Sequence, residues 1–207
     1  MQRVLSRGAQ TREKLLDIAE AAVLAKGFGA TSIDEVIVEA GLTKSGFFYH
    51  FRDKNDLALA LLDRFVVRDT AIFDGIFARA DELSEDPLHA FLIALKLTAD
   101  VFADLETGHP GCLVATVTFH ERQFDARVRR RAAEATLLWR DRFHERLKQV
   151  AEAYPPKVEI DLEALADMFN CLVDGSIIMA KGLGDPAILP RQVLAYRTFV
   201  RTVFTGA

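Results

Sequence analysis

Along most of the chain, apolar residues recur every three to four positions, the spacing of one buried helix face. Leu15, Ala19, Ala22 and Val23 form such a stripe and predict a first helix over residues 11–26, stopped by Gly27. Ile33, Val36, Ile37 and Ala40 predict a short second helix. Ser32 and Glu35 open it with the S-x-x-E spacing of a capping box, and Gly41-Leu42 breaks it. Thr43 is placed to cap a third helix through His50, and Asp53 a fourth running past Leu57, Leu61 and Phe65 towards Phe77. Asp86-Pro87 opens a helix to about Glu106, stopped by Gly108-His109-Pro110-Gly111. Val128, Ala132, Ala135, Trp139, Phe143, Leu147 and Val150 share one stripe of a long helix over 125–153, ended by Tyr154-Pro155-Pro156. Asp161 caps a helix to Lys181-Gly182, and a last one spans Ile188 to Phe204. The Val- and Thr-rich stretch 114–119 reads as strand as well as helix, but a lone strand has nothing to pair with. With no alternating strand and no Asn-Gly or Asp-Gly hairpin signal, the chain is expected to be all-α, with about nine helices, four before residue 78 and five after.

Composition narrows the class. Half of the 207 residues are apolar and 27% are charged, enough to bury a core and against intrinsic disorder. Two cysteines make no disulfide scaffold. There is neither a run of about 18 apolar residues nor the apolar stretch of a signal peptide near the N-terminus, so a cytoplasmic protein without membrane contact is expected. The net charge of −4 argues at first against a nucleic-acid binder. The deficit is unevenly placed, however: residues 1–54 hold eight Lys and Arg against seven Asp and Glu, and the excess acid lies beyond them. Arg3, Arg7, Arg12, Lys44, Arg52 and Lys54 fall in the N-terminal arm or at helix ends, where phosphates are met.

The informative stretch is TSIDEVIVEAGLTKSGFFYHFRDK, residues 31–54. Two short helices joined by a Gly-containing turn are the helix-turn-helix arrangement, whose second helix enters the major groove. Thr43, Lys44, Ser45 and Gly46 stand at a helix start, where open N–H groups and the dipole suit a phosphate. Phe47, Phe48, Tyr49, His50 and Phe51 are five consecutive ring-bearing residues. Successive helical residues point about 100° apart, so one face cannot bury all five. Phe47 and Phe51 are expected to pack on the first helix, leaving Phe48, Tyr49 and His50 to face the duplex. Lys54 sits in the first turn of the fourth helix, where the dipole disfavours a cation unless a phosphate is held there too. With Ser32 these make the candidate DNA-binding set: Ser32, Thr43, Lys44, Ser45, Gly46, Phe48, Tyr49, His50 and Lys54.

Gly27, Thr31, Ile33, Val36, Ala40-Gly41-Leu42, Thr43-Lys44, Tyr49-His50-Phe51 and Lys54 together resemble the DNA-binding domain of the TetR family of bacterial transcriptional regulators. The similarity runs through roughly residues 10–70. Two positions depart from it. Members often carry Gly and then a variable residue where Ser45-Gly46 stands, and often Tyr at Phe48, whose hydroxyl contact with phosphate is lost here. The resemblance implies an all-helical homodimer whose two third helices occupy successive major grooves of a palindromic or pseudopalindromic operator. It also implies that the last two long helices build a four-helix dimer interface and that the helices between form a small-molecule pocket. On this reading residues 1–54 are the DNA-binding domain, with the helix-turn-helix at about 32–51, and 55–207 the regulatory, ligand-binding and dimerisation domain.

The C-terminal part supplies candidates for both. Apolar residues go most of the way round the 161–181 helix, as expected for a helix central in a core or covered by a partner. Leu165, Met168, Phe169, Leu172 and Ile177, with Tyr196, Phe199, Val200 and Val203 of the last helix, are the expected dimer interface. Phe102, Cys112, Phe119, His120, Trp139 and Phe143 are the expected pocket lining. Cys112 is also the reactive-thiol candidate, against the plainer alternative of packing. His109, His120, Glu121 and His144 lack the i, i+4 pairing of a helical metal site, so neither a metal nor a cofactor is expected. Arg127, Arg129, Arg130 and Arg131 read as a solvated helix face. The expected function is a repressor released from its operator by a small-molecule effector. The alternatives are activation or effector-independent regulation on the same fold, or a helical enzyme. Against the last, the chain has no G-x-G-x-x-G, P-loop, G-x-S-x-G or H-E-x-x-H.

Overall fold

A computed structural model describes residues 6–105 and 107–206. Among them the chain forms nine α-helices, one 3-10 turn at Glu121–Gln123 and no strand. The helices are α1 Arg7–Ala30, α2 Ile33–Ala40, α3 Lys44–Phe48, α4 Lys54–Leu83, α5 Pro87–Ala103, α6 Leu113–Phe119, α7 Ala126–Ala153, α8 Leu162–Leu183 and α9 Ile188–Thr205. Arg3 and Glu106 lie outside the described residues.

The predicted start signals act where they stand. Ser32, Thr43, Asp86 and Asp161 cap α2, α3, α5 and α8 through their side-chain oxygens, and Asp53 accepts the N–H of Asp56 at 2.9 Å to open α4. The capping box at α2 forms only by half. Ser32 Oγ accepts the N–H of Glu35 at 3.1 Å, but the Glu35 carboxylate turns to the ammonium of Lys26. The first helix also differs from expectation. It starts earlier, on a Ser6 cap, and Gly27 interrupts it at φ 83°, ψ 161° rather than ending it, so the chain makes another turn to Ala30. Only glycine takes that backbone conformation readily. The reason for the extra turn is Phe28, which is buried and meets Phe124 edge-on at 5.0 Å between ring centroids. The ambiguous segment 114–119 is helical, with Cys112 Sγ at its N-cap accepting the N–H of Ala115.

The chain packs as two compact units, which differ from a single cut after residue 54. One holds the described residues up to Val67 together with Cys112–Ala135; the other holds Arg68–Gly111 with the described residues from Thr136. In the first unit Leu15, Leu16, Ala19 and Val23 of α1 pack with Val36, Ile37, Phe47 and Phe51, with Leu57, Leu61 and Leu62 of α4, and with Leu113 and Val117 of α6. Arg64 ties α4 to α1, reaching Asp17 at 2.6 Å and Glu20 at 2.5 Å. The arginine cluster of α7 is not a plain solvated face: Arg131 bonds Asp63 of α4 at 2.6 Å and Arg129 donates to the Phe124 carbonyl.

The core of the second unit is aromatic. Phe143 of α7 stacks on Phe169 of α8 with centroids 4.1 Å apart and meets Phe73, Phe77 and Phe91 edge-on. Helix α9 packs on α5 and α8, and buried Tyr196 donates its hydroxyl to the Leu165 carbonyl at 2.8 Å.

Candidate nucleic-acid interface

Helix α2 ends at Gly41 in the left-handed region (φ 68°), and the N–H of Leu42 returns to the Ile37 carbonyl at 3.0 Å. That closed turn launches α3 at an angle, which is the helix-turn-helix geometry. Thr43 Oγ1 accepts the N–H of Gly46 at 3.2 Å and lies 3.0 Å from Ser45 Oγ. A side chain at 46 would place its Cβ 3.4 Å from Thr43 Oγ1, ordinary van der Waals contact, so the cap does not itself require glycine.

The five rings divide as the 100° rule requires. Phe47 and Phe51 are buried, 5.6 Å apart between centroids, with the Arg12 guanidinium over the Phe51 ring. Phe48 is 48% exposed and Tyr49 82% exposed, while His50 is half-buried, edge-on to Tyr49. Ser32, Thr43, Lys44 and Ser45 are exposed and Gly46 half-buried. The chain thus turns a small, polar and aromatic surface outward from α2 and α3 while anchoring it on Phe47 and Phe51.

The two lysines behave differently from one another. Lys44 pairs with Asp34 across α2 and α3 at 2.9 Å, and both side chains are largely exposed. Such a pair contributes little to stability, so an incoming phosphate can replace the carboxylate at small cost. Lys54 is the correction. Its ammonium donates to the Phe28 carbonyl at the end of α1, and burial lowers its pKa. The extra turn beyond Gly27 leaves that carbonyl only a long bond from the Thr31 N–H, at 3.3 Å, and Lys54 adds a second donor. Its first task is therefore to hold α4 to α1.

Residues 15–61 match the family model described as bacterial regulatory proteins, tetR family. Residues 15–61 thus carry a DNA-binding head of the TetR-family type. A probable HTH-type transcriptional regulator, ArpR, of Pseudomonas putida is 26% identical over 180 residues, which are 86% of this chain and 83% of that protein. The HTH-type transcriptional repressor BepR of Brucella suis is 33% identical over 64 residues, 31% of each chain. The structure of a TetR-family transcriptional regulator from Agrobacterium tumefaciens superposes with a TM-score of 0.77, covering 96% of this chain and 100% of that one at 19% identity, a likeness of fold.

The remaining expected sites are distributed as follows. Three of the six expected pocket residues belong to the first unit and three to the second. Cys112 and His120 cap the two ends of α6 in the first unit, and Phe119 between them is 76% exposed. In the second unit Phe143 is packed in the aromatic core, Trp139 lies edge-on to Phe73 and Phe102 edge-on to His109. Burial of Leu113, Val114 and Val117 on one side of α6 turns Phe119 to the other.

Most of the expected interface is also redirected. Leu165, Phe169, Ile177, Tyr196, Val200 and Val203 are buried within the chain itself, and Leu172 is half-buried. Met168 and Phe199 remain exposed. The outward face of α8 runs Ala164, Met168, Cys171, Gly175, Ile178, Met179, a helical stripe that the inward core residues hid in a sequence apolar on both sides. Arg52, 74% exposed just after the ring cluster, completes the surface; in the sequence it was one of several cations at helix ends.

Proposed function

We propose that this chain is a homodimeric, sequence-specific DNA-binding transcriptional regulator, a repressor whose two α3 segments enter successive major grooves of a palindromic operator and which a small-molecule effector releases. The observation that carries the reading is the outward presentation of Lys44, Phe48 and Tyr49 on a capped helix-turn-helix whose inner rings, Phe47 and Phe51, are buried. Rings of this kind meet thymine methyls and sugars, and the cations and hydroxyls meet phosphates.

Dimerisation is supported by the apolar outer stripe of α8 and by Phe199, Ala195 and Thr198 beside it on α9. A face of that composition is favoured by burial against a second copy, and a twofold pairing uses the same patch twice. Pairing matters for function, because a near-neutral head binds weakly alone and two linked heads raise the effective concentration. The effector part rests on the family. Its physical content is a coupling of about 1–3 kcal/mol between ligand and operator, a change of roughly five- to 150-fold in affinity. Among the described residues no helix is long and apolar enough to cross a membrane, in keeping with work in the cytoplasm.

Footprinting on the DNA flanking its own gene tests the reading. The expected pattern is two protected half-sites about one helical turn, roughly 34–36 Å, or a multiple of it apart. Protection of a single half-site, or none at any protein concentration, overturns it.

A further inference from the structure

Arg52 follows buried Phe51 and precedes Asp53, the cap of α4. Its backbone N–H (3.3 Å), Nε (2.5 Å) and Nη2 (2.9 Å) all donate to one carboxylate, Asp56. The Asp56 side chain is only 17% exposed, whereas that of Arg52 is 74% exposed. Asp56 also accepts Arg127 Nη1 at 3.3 Å. Arg127 is itself fixed on Asp125 through Nε (3.0 Å) and Nη2 (2.7 Å), and the N–H of Asp125 donates to Asn55 Oδ1 at 2.9 Å.

An ordinary exposed i, i+4 pair links two mobile side chains and is worth little. Here the backbone and the guanidinium of one residue are locked on a carboxylate that Arg127, at the start of α7, also holds. The inner edge of the guanidinium is used. The described hydrogen bonds of Arg52 all run to Asp56, which leaves the Nη1 donors for a partner on the solvent side. A planar fork held in one orientation is suited to a phosphate oxygen, because little side-chain entropy is lost when the contact forms. The fork stands on the loop that directly continues the exposed Phe48 and Tyr49 surface.

We infer that Arg52 is a DNA-phosphate contact of the reading head and that Asp56 is its positioning residue, with Arg127 completing the hold. The inference rests on the DNA-binding reading above and adds a residue to it. It opposes a simpler role for Asp56, in which the carboxylate merely cancels the Arg52 charge and repels the duplex.

The test is fluorescence anisotropy of the full chain with a labelled mixed-sequence duplex of about 30 base pairs, titrated at several KCl concentrations. Arg52→Ala is expected to flatten the plot of log affinity against log salt by about 0.9 per bound head, the loss of one phosphate contact. Asp56→Asn keeps the side-chain shape and removes the charge. It is expected to weaken binding and flatten the slope when Arg52 is present, and to do neither in the Arg52→Ala background. Circular dichroism of each variant checks that the head is folded, and Arg52→Lys, which keeps the charge at an exposed site, gives a second reading. Its slope is expected to lose its dependence on Asp56. Tighter binding by Asp56→Asn with or without Arg52, or an unchanged slope in Arg52→Ala, overturns the inference while leaving DNA binding intact. Absence of salt-dependent binding by the unaltered chain overturns the DNA-binding reading and this inference with it.

Discussion

The ammonium of Lys54, in the first turn of α4, is hydrogen-bonded to the backbone carbonyl of Phe28, at the end of α1. Gly27 swings the chain out of the helix at positive φ, and the carbonyl of the turn that follows, which also accepts the Thr31 N–H at 3.3 Å, has a second lone pair for the ammonium. It fastens two of the elements that carry α3, so the reading surface depends on a residue that stands behind it.

Lys54→Ala is expected to lower stability by about 1–2 kcal/mol, towards the low end for a hydrogen bond to a charged group, since the Phe28 carbonyl keeps the Thr31 N–H. Urea unfolding followed by circular dichroism measures it. If the midpoint does not move, the ammonium is not holding α1.

Phe47 and Tyr49 are neighbours but one in sequence and opposite in role. Phe47→Ala removes a wholly buried ring and is expected to cost about 3–5 kcal/mol, enough to unfold the head. Tyr49→Ala, at a site 82% exposed, is expected to leave the unfolding midpoint within about 0.5 kcal/mol and to weaken duplex binding. Equal stability loss in both variants would contradict the partition of the rings.

His109 in the loop before α6 has its pKa lowered from 6.5 to about 4, first by burial and then by the charges of Lys181 and Arg68. The unfolded chain gains this proton near 6.5 and the folded chain only near 4, so the contribution is fully present above about pH 6.5 and is lost as pH falls towards 4. A loss on the order of 3 kcal/mol is expected over that window. In His109→Asn, whose amide oxygen can accept the Gly111 N–H that Nδ1 accepts at 3.2 Å, the same window should be nearly flat. Unfolding midpoints at a series of pH values decide it.

Ile178 and Phe169 separate the two faces of α8. The unaltered chain is expected to sediment as a dimer in analytical ultracentrifugation, and Ile178→Glu, on the exposed stripe, as a folded monomer. Phe169→Ala is expected to destabilise the chain by about 3–5 kcal/mol, since its ring is stacked on Phe143. A dimer that survives Ile178→Glu would place the interface elsewhere.

The helices were legible because a 3.6-residue period and side-chain caps are local properties. Ser32, Thr43, Asp53, Asp86 and Asp161 could be read from neighbours no more than a few positions away. The stretch 114–119 was ambiguous because Val and Thr favour strands, and its helix is settled by burial of Leu113 and Val117 in the first unit's core. The inner and outer rings of the 47–51 cluster followed from helical geometry alone. Lys54 did not, because its carbonyl partner lies 26 positions away and arises from a kink. The two faces of α8 are both apolar, so the period located the helix without saying which side met the core. The pocket candidates rest on residue type, which carries no information on which packing unit a residue joins.

The central claim, that the surface of Lys44, Phe48 and Tyr49 reads DNA, is tested most directly by the affinity of the unaltered chain and of a Lys44→Ala, Tyr49→Ala double variant for one duplex over a range of salt concentrations. Affinity of the unaltered chain is expected to fall linearly on a log–log plot with salt, and the double variant to bind more weakly with a shallower slope. Equal affinity and slope in the two proteins, with both folded, would contradict it.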